Sequence, residues 1–112
     1  MERDELEKMT REYQQIQEQL QQFSVQREQF NVQKEELKEA MAEIERSAGK
    51  IYLAVGGIMA DVGKESAVKS IKERQESADM RINILTKQIE ELSKKEKTLR
   101  EDLTKALKDI KQ

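Results

Sequence analysis

The sequence predicts a mainly α-helical protein, a long antiparallel coiled-coil hairpin of two helices with a short β-hairpin between them. Three observations support this fold class. The 112 residues include no proline and only 4 glycines, so helix-breaking residues are rare. Apolar residues recur at alternating spacings of three and four in both halves of the chain. Between these halves, apolar residues instead alternate around Gly56-Gly57. We expect one domain, with helix 1 at residues 1–48, the β-hairpin at 49–64 and helix 2 at 65–112.

Helix 1 carries a coiled-coil seam in which eleven of 13 positions are apolar. Its positions are Leu6, Met9, Tyr13, Ile16, Leu20, Phe23, Arg27, Phe30, Lys34, Leu37, Met41, Ile44 and Ala48. The exceptions are Arg27 and Lys34. At 1.5 Å per residue, this seam should be roughly 60–65 Å long.

Helix 2 carries a seam of the same length, again with eleven apolar residues among 13 positions. It comprises Val68, Ile71, Gln75, Ala78, Ile82, Leu85, Ile89, Leu92, Glu96, Leu99, Leu103, Ala106 and Ile110. Equal seams around a short connector predict antiparallel pairing, with Leu6 opposite Ile110 and Ala48 opposite Val68. Residues 1–48 have a net charge of -5 and residues 64–112 a net charge of +3, which favours this pairing weakly.

Four polar residues interrupt the seams, and the expected pairing places each beside an apolar residue. Arg27 should lie near Ile89, and Lys34 near Ile82. Gln75 should lie near Met41, and Glu96 near Leu20. We interpret these interruptions as register control with long side chains that reach outward; local looseness that lets the helices flex is the alternative.

The connector predicts a β-hairpin because Gly-Gly suits a two-residue turn with positive φ. One face of this hairpin should be wholly apolar, with Val55 opposite Ile58, Leu53 opposite Ala60, and Ile51 opposite Val62. An isolated two-stranded ribbon is marginal in water. These six residues are therefore our candidate oligomerisation surface, which would form a β-barrel shared with hairpins of other subunits.

Composition excludes several functional classes. The chain lacks cysteine and histidine, so thiolate nucleophiles, disulfides, imidazole bases and the usual zinc sites are impossible. Its 21 basic and 23 acidic residues nearly balance, which disfavours binding to nucleic acid or membranes. No segment resembles a signal peptide or a membrane span, so we expect a cytoplasmic protein. We predict no enzymatic activity, no cofactor and no metal.

Two local motifs are better explained without a ligand. Residues 57–65 resemble a phosphate loop, but five residues separate Gly57 from Gly63, and Glu65 stands where Ser or Thr should follow Lys64. The basic stretch 94–100 lacks interleaved aromatic residues and contains Glu96, which indicates a charged surface.

The free ends of the helices are candidate binding surfaces because no third element would cover their apolar residues. The candidates are Met1, Leu6, Met9, Tyr13, Leu103, Leu107 and Ile110. Fraying here would expose an adaptable, methionine-containing patch. Apolar residues also lie off the seams, at Val25, Val32, Met80 and Ile84.

The connector resembles the β class of prefoldin subunits. Lys50-Ile51-Tyr52-Leu53-Ala54-Val55-Gly56-Gly57-Ile58-Met59 is similar to that family's aliphatic-Tyr-x-x-Val-Gly strand and turn, and the return from Asp61 to Val68 also fits. The connector has room for one hairpin, whereas α-class subunits insert two.

The resemblance implies a hexamer of two α-class and four β-class subunits around a double β-barrel. It also implies ATP-independent capture of non-native proteins at the helix tips and their delivery to a group II chaperonin. A structural coiled-coil spacer that does not bind clients is the alternative.

Overall fold

The computed structural model describes residues 2–111; Met1, a candidate binding residue, lies outside them. The elements follow in the order α1 (Arg3–Arg46), β1 (Ile51–Val55), β2 (Ile58–Val62) and α2 (Lys64–Lys111). The chain is therefore mostly helical with one short hairpin between two long helices, as the sequence predicted. Helix α1 ends two residues before the expected boundary, and α2 begins one residue earlier, at Lys64. None of the helices in the described part is long and apolar enough to cross a membrane.

Burial follows the two predicted seams. In α1, every seam position except Lys34 and Ala48 is partly or fully buried. In α2, every seam position except Ile110 is partly or fully buried. The most buried side chains are small or aliphatic: Leu37, Ala67, Ile71, Ala78, Leu85 and Ala106. Ala67 lies beside the seam, at the start of α2, and is the one member that the heptad pattern did not predict.

Contacts divide the chain into two compact units. One unit contains residues up to Arg27 together with residues from Ile84 onward, and the other contains Glu28–Asn83. Each unit brings a segment of α1 together with an antiparallel segment of α2, and the second unit also contains the hairpin.

The helices pair in a different register from the one that we expected from the ends of the seams. Arg27 contacts Thr86, three residues before the expected Ile89, and Lys34 pairs with Asp79, three residues before the expected Ile82. Glu96 contacts Tyr13, seven residues away from the expected Leu20. At the hairpin end, α1 ends at Arg46, before Ala48, and α2 begins at Lys64, before Val68, so the two helices are joined there by the Lys64–Glu45 contact and not by the expected pair.

The β-hairpin has the predicted register and turn. Ile51 is opposite Val62, Leu53 opposite Ala60, and Val55 opposite Ile58. Gly56 and Gly57 have φ angles of 54° and 85°. Positive φ at both central residues is the requirement of a type I′ turn, whose twist matches that of paired strands.

Side-chain and backbone caps join the hairpin to the helices. The Lys64 ammonium group donates a hydrogen bond of 3.0 Å to the carbonyl oxygen of Glu45 in the last turn of α1. A cation at this end of a helix satisfies an exposed carbonyl and interacts favourably with the helix dipole. At the start of α2, the amide of Ala67 donates to the carbonyl of Gly63 at 3.0 Å.

Candidate functional site

The hairpin presents apolar side chains to solvent on both of its faces. On the predicted oligomerisation face, Ile51, Leu53 and Val62 are half-buried, whereas Ala60 is exposed and Ile58 keeps 72% of its surface exposed. The side chain of Val55 lies outside the described part of the structure. On the opposite face, Tyr52 and Met59 are also exposed. A single chain thus leaves a large part of its sheet uncovered, as expected for a surface that needs another molecule to bury it.

The free helix ends contain two kinds of apolar residue. Leu6, Met9, Tyr13 and Leu103 are half-buried in the seam. Leu107 and Ile110 are instead exposed, at 49% and 58% of their surface. Ala106, immediately before Leu107 in sequence, is buried. Among the predicted binding residues described here, Leu107 and Ile110 are thus accessible without any helix movement, whereas the seam residues need the helices to fray.

A polar network lies within this apolar region. The hydroxyl group of Tyr13 donates a hydrogen bond of 2.9 Å to the carboxylate of Glu96. Arg100 pairs with the same carboxylate at 3.5 Å, and the Glu96 side chain is only 17% exposed. The hydrogen bond to Glu96 raises the pKa of Tyr13, and so do desolvation and the negative charge of the carboxylate. The positive charge of Arg100 partly opposes this increase.

Sequence reasoning identified Tyr13 and Glu96 separately but did not bring them together. Tyr13 was expected to contribute apolar surface, and Glu96 was expected beside Leu20. The residue types carried a signal, because a carboxylate buried in a seam needs a hydrogen-bond donor nearby and a tyrosine hydroxyl on the facing helix can be one. Pairing Tyr13 with Glu96 from the sequence would have required the correct register of α1 against α2.

The other interrupted seam positions have polar partners too, apart from Gln75, which is half-buried. The Arg27 guanidinium lies 3.5 Å from the hydroxyl oxygen of Thr86, and Lys34 forms an ion pair of 2.7 Å with Asp79. Partners on the facing helix favour register control over local looseness.

Comparison with known proteins identifies the family. The family model described as prefoldin subunit matches residues 7–110. The chain belongs to the prefoldin family. No curated protein sequence matches it. Among solved structures, this prefoldin chain is similar to the prefoldin beta subunit from Thermococcus strain KS-1, with 30% identity, a TM-score of 0.82 and coverage of 92% of each chain.

A second solved structure supports the same class. The prefoldin beta2 subunit from Thermococcus strain KS-1 is 26% identical, with a TM-score of 0.60, and the match covers 86% of this chain and 97% of that one. The likeness extends over both helices and the hairpin. The protein is therefore a beta-class subunit of a prefoldin-type chaperone, and its single hairpin agrees with the expected β class.

The remaining sequence candidates in this prefoldin subunit have simple structural roles. Lys64, the lysine of the apparent phosphate loop, caps α1 through Glu45. The off-seam residues Val25, Val32, Met80 and Ile84 are exposed.

Proposed function

We propose that this subunit is an ATP-independent holdase that captures non-native polypeptides at the free ends of its helices and passes them to a group II chaperonin. The observation that carries the proposal is the exposure of Leu107 and Ile110 at the chain end, in a chain of the prefoldin family. Exposed apolar side chains give an unfolded polypeptide contacts that need no specific sequence.

The seam residues at the same end extend this surface when the helices fray. Leu6, Met9 and Leu103 are already half-exposed. Terminal helical turns lack neighbours on one side, so their local opening costs little free energy. Methionine adapts to irregular surfaces because its side chain is unbranched and flexible.

We propose that the hairpins assemble into a shared double β-barrel, in a hexamer of two α-class and four β-class subunits. The exposed Ile58 and the half-buried Ile51, Leu53 and Val62 support this proposal. Assembly would bury them and pair the free strand edges. Several helix ends acting together would raise the affinity for one client through effective concentration.

The test is suppression of the aggregation of a chemically denatured client, measured by light scattering without nucleotide. The chain is assayed alone and with an α-class prefoldin subunit. Protection in the absence of ATP supports the holdase proposal, and a second measurement should show that protected client is released to a group II chaperonin and refolds there. A spacer without client binding would give no protection even when it assembles to the expected mass.

A further inference from the structure

A polar hollow lies between α1 and α2 in the unit that contains the hairpin. It has a volume of about 250 Å³. Its lining residues are Phe30, Gln33, Arg74, Ser77, Ala78 and Arg81. Neither the exposed hairpin face nor the helix ends contribute to it.

Two arginines of this hollow form no ion pair with the facing helix in the described part of the chain. Arg74 and Arg81 each immediately precede a seam position of α2, and such flanking positions usually pair with opposite charges in coiled coils. The two α1 residues that line the hollow with them, Phe30 and Gln33, are both uncharged. Neither arginine takes part in any of the ion pairs found within residues 2–111.

On the opposite flank of the helix pair in the same unit, opposite charges are paired between the helices. There, Lys34 and Asp79 form an interhelical ion pair of 2.7 Å. Charges are thus matched within the chain on one flank, whereas the hollow contains two guanidinium groups and is otherwise lined by uncharged residues.

Contact with an aromatic ring restricts the position of the Arg81 guanidinium group before any ligand binds. The Arg81 guanidinium carbon lies 5.3 Å from the centre of the Phe30 ring, which is a cation–π contact. Stacking on a ring leaves the edge of the guanidinium fork free to donate hydrogen bonds, and it reduces the side-chain entropy lost on binding.

We propose that this hollow binds the carboxylates of an acidic polypeptide segment. Arg74 and Arg81 are seven residues apart, which corresponds to about 10.5 Å along the helix axis. This separation suits two acidic side chains of one segment, each accepting hydrogen bonds from one guanidinium group. The Ser77 hydroxyl and the Gln33 amide supply further donors between them. The inference is independent of client capture at the helix ends.

The probe is a fluorescently labelled peptide of consecutive glutamates, which offers carboxylates at every separation along the segment, and its binding to the full chain is measured by anisotropy at low salt. The double variant R74Q/R81Q should bind about tenfold more weakly, since two exposed ion pairs are lost. R74K/R81K should recover only part of the affinity because lysine keeps the charge but loses the planar fork. Glutamine and arginine have similar helix propensities, so far-UV circular dichroism should not change.

The matched control is K87Q/K94Q, which removes two exposed cations with the same spacing on the same helix. It should bind the peptide as the unchanged chain does. Equal weakening in both double variants would show unspecific attraction and overturn the proposal, as would no measurable binding to the unchanged chain. Displacement of the peptide by inorganic phosphate, but not by chloride at equal ionic strength, would assign the hollow to a free oxyanion instead. R74Q alone, which keeps the Phe30 contact, should also weaken binding.

Discussion

Tyr13 and Glu96 are hydrogen-bonded across the two helices at 2.9 Å, in the same terminal unit that contains the exposed Leu107 and Ile110. This bond places a polar, directional contact within an otherwise apolar seam. Because it forms only when these two positions face each other, it selects one register of the helices near their free ends.

We expect the pKa of Tyr13 to be higher than that of a free tyrosine, because its hydroxyl proton is held by Glu96 and ionisation would place two negative charges side by side. The bond's contribution to stability is fully present below the unfolded tyrosine pKa of about 10 and is lost as the pH rises through the higher folded value. Tyrosinate absorbance of the Y52F variant reports Tyr13 alone. Free N-acetyltyrosinamide serves as the reference; equal titration of the variant and this compound would contradict the assignment.

Replacement of Leu53 by Asp should prevent assembly, since a charge in a shared apolar core costs several kcal/mol. Sedimentation with the α-class partner should show smaller species while the helical circular dichroism signal is retained. Ala54→Asp is the matched control, because it adds the same charge to the adjacent residue on the other face of β1. An unchanged mass for L53D would exclude the shared barrel.

Lys64→Ala should destabilise the end of α1 without any effect on nucleotide binding. Loss of the hydrogen bond to the Glu45 carbonyl should cost roughly 0.3–1 kcal/mol, seen as a lower Tm and faster amide exchange near Arg46. Calorimetry should detect no binding of magnesium-ATP to either protein. Lys69→Ala, at an exposed position of the same helix, should leave α1 unaffected. Magnesium-dependent ATP binding that K64A abolishes would restore the phosphate-loop interpretation.

Removal of residues 1–9 and 103–112 should leave assembly intact but strongly reduce the suppression of client aggregation. The trimmed chain keeps the hairpin and most of both seams. The finer variant L107S/I110S should lose part of the activity, whereas V25S/V32S, which removes two equally exposed apolar residues from α1, should keep it. Full protection by the trimmed assembly would place client binding elsewhere, with Val25, Val32, Met80 and Ile84 as the next residues to test.

Gly57→Ala should destabilise the hairpin by about 1–2 kcal/mol, because its φ of 85° disfavours any residue with a side chain. Space is not the cause, since an added Cβ would meet no atom within 4 Å. Gly49→Ala is the control: it also has open space but no positive φ, and should be neutral or slightly stabilising. Thermal unfolding of the two variants measures the difference.

The periodicity of the sequence predicts the elements of this fold well but not their mutual register. Spacings of three and four identify which side chains are buried, and Gly56-Gly57 fixes the pairing of Ile51 with Val62. The seams alone cannot fix the helix register, since a shift by one turn still brings apolar residues together. Polar contacts between the helices, such as Lys64 on Glu45 and Tyr13 on Glu96, favour the observed pairing, and no pattern of hydrophobicity contains them.

Candidate surfaces were harder to predict than the fold, because exposure depends on neighbours. Leu107 and Ile110 are exposed, although Ile110 belongs to the predicted seam, whereas Leu6 and Met9 are partly buried in it. The donor and acceptor roles of Tyr13 and Glu96 required the three-dimensional pairing. The sequence does not indicate that Arg74 and Arg81 lie beside the uncharged Gln33, because this depends on the pairing of the two helices.

The two connections between sheet and helices differ in mechanical stiffness. Gly63 alone separates β2 from α2, whereas residues 47–50 separate α1 from β1. With two rotatable backbone angles per residue, the second connection has four times as many torsions that can absorb a bend. The carbonyl of Gly63 is also held by Ala67. We therefore expect a change in the angle between the sheet and the helices to be absorbed mainly by residues 47–50 and only slightly by Gly63.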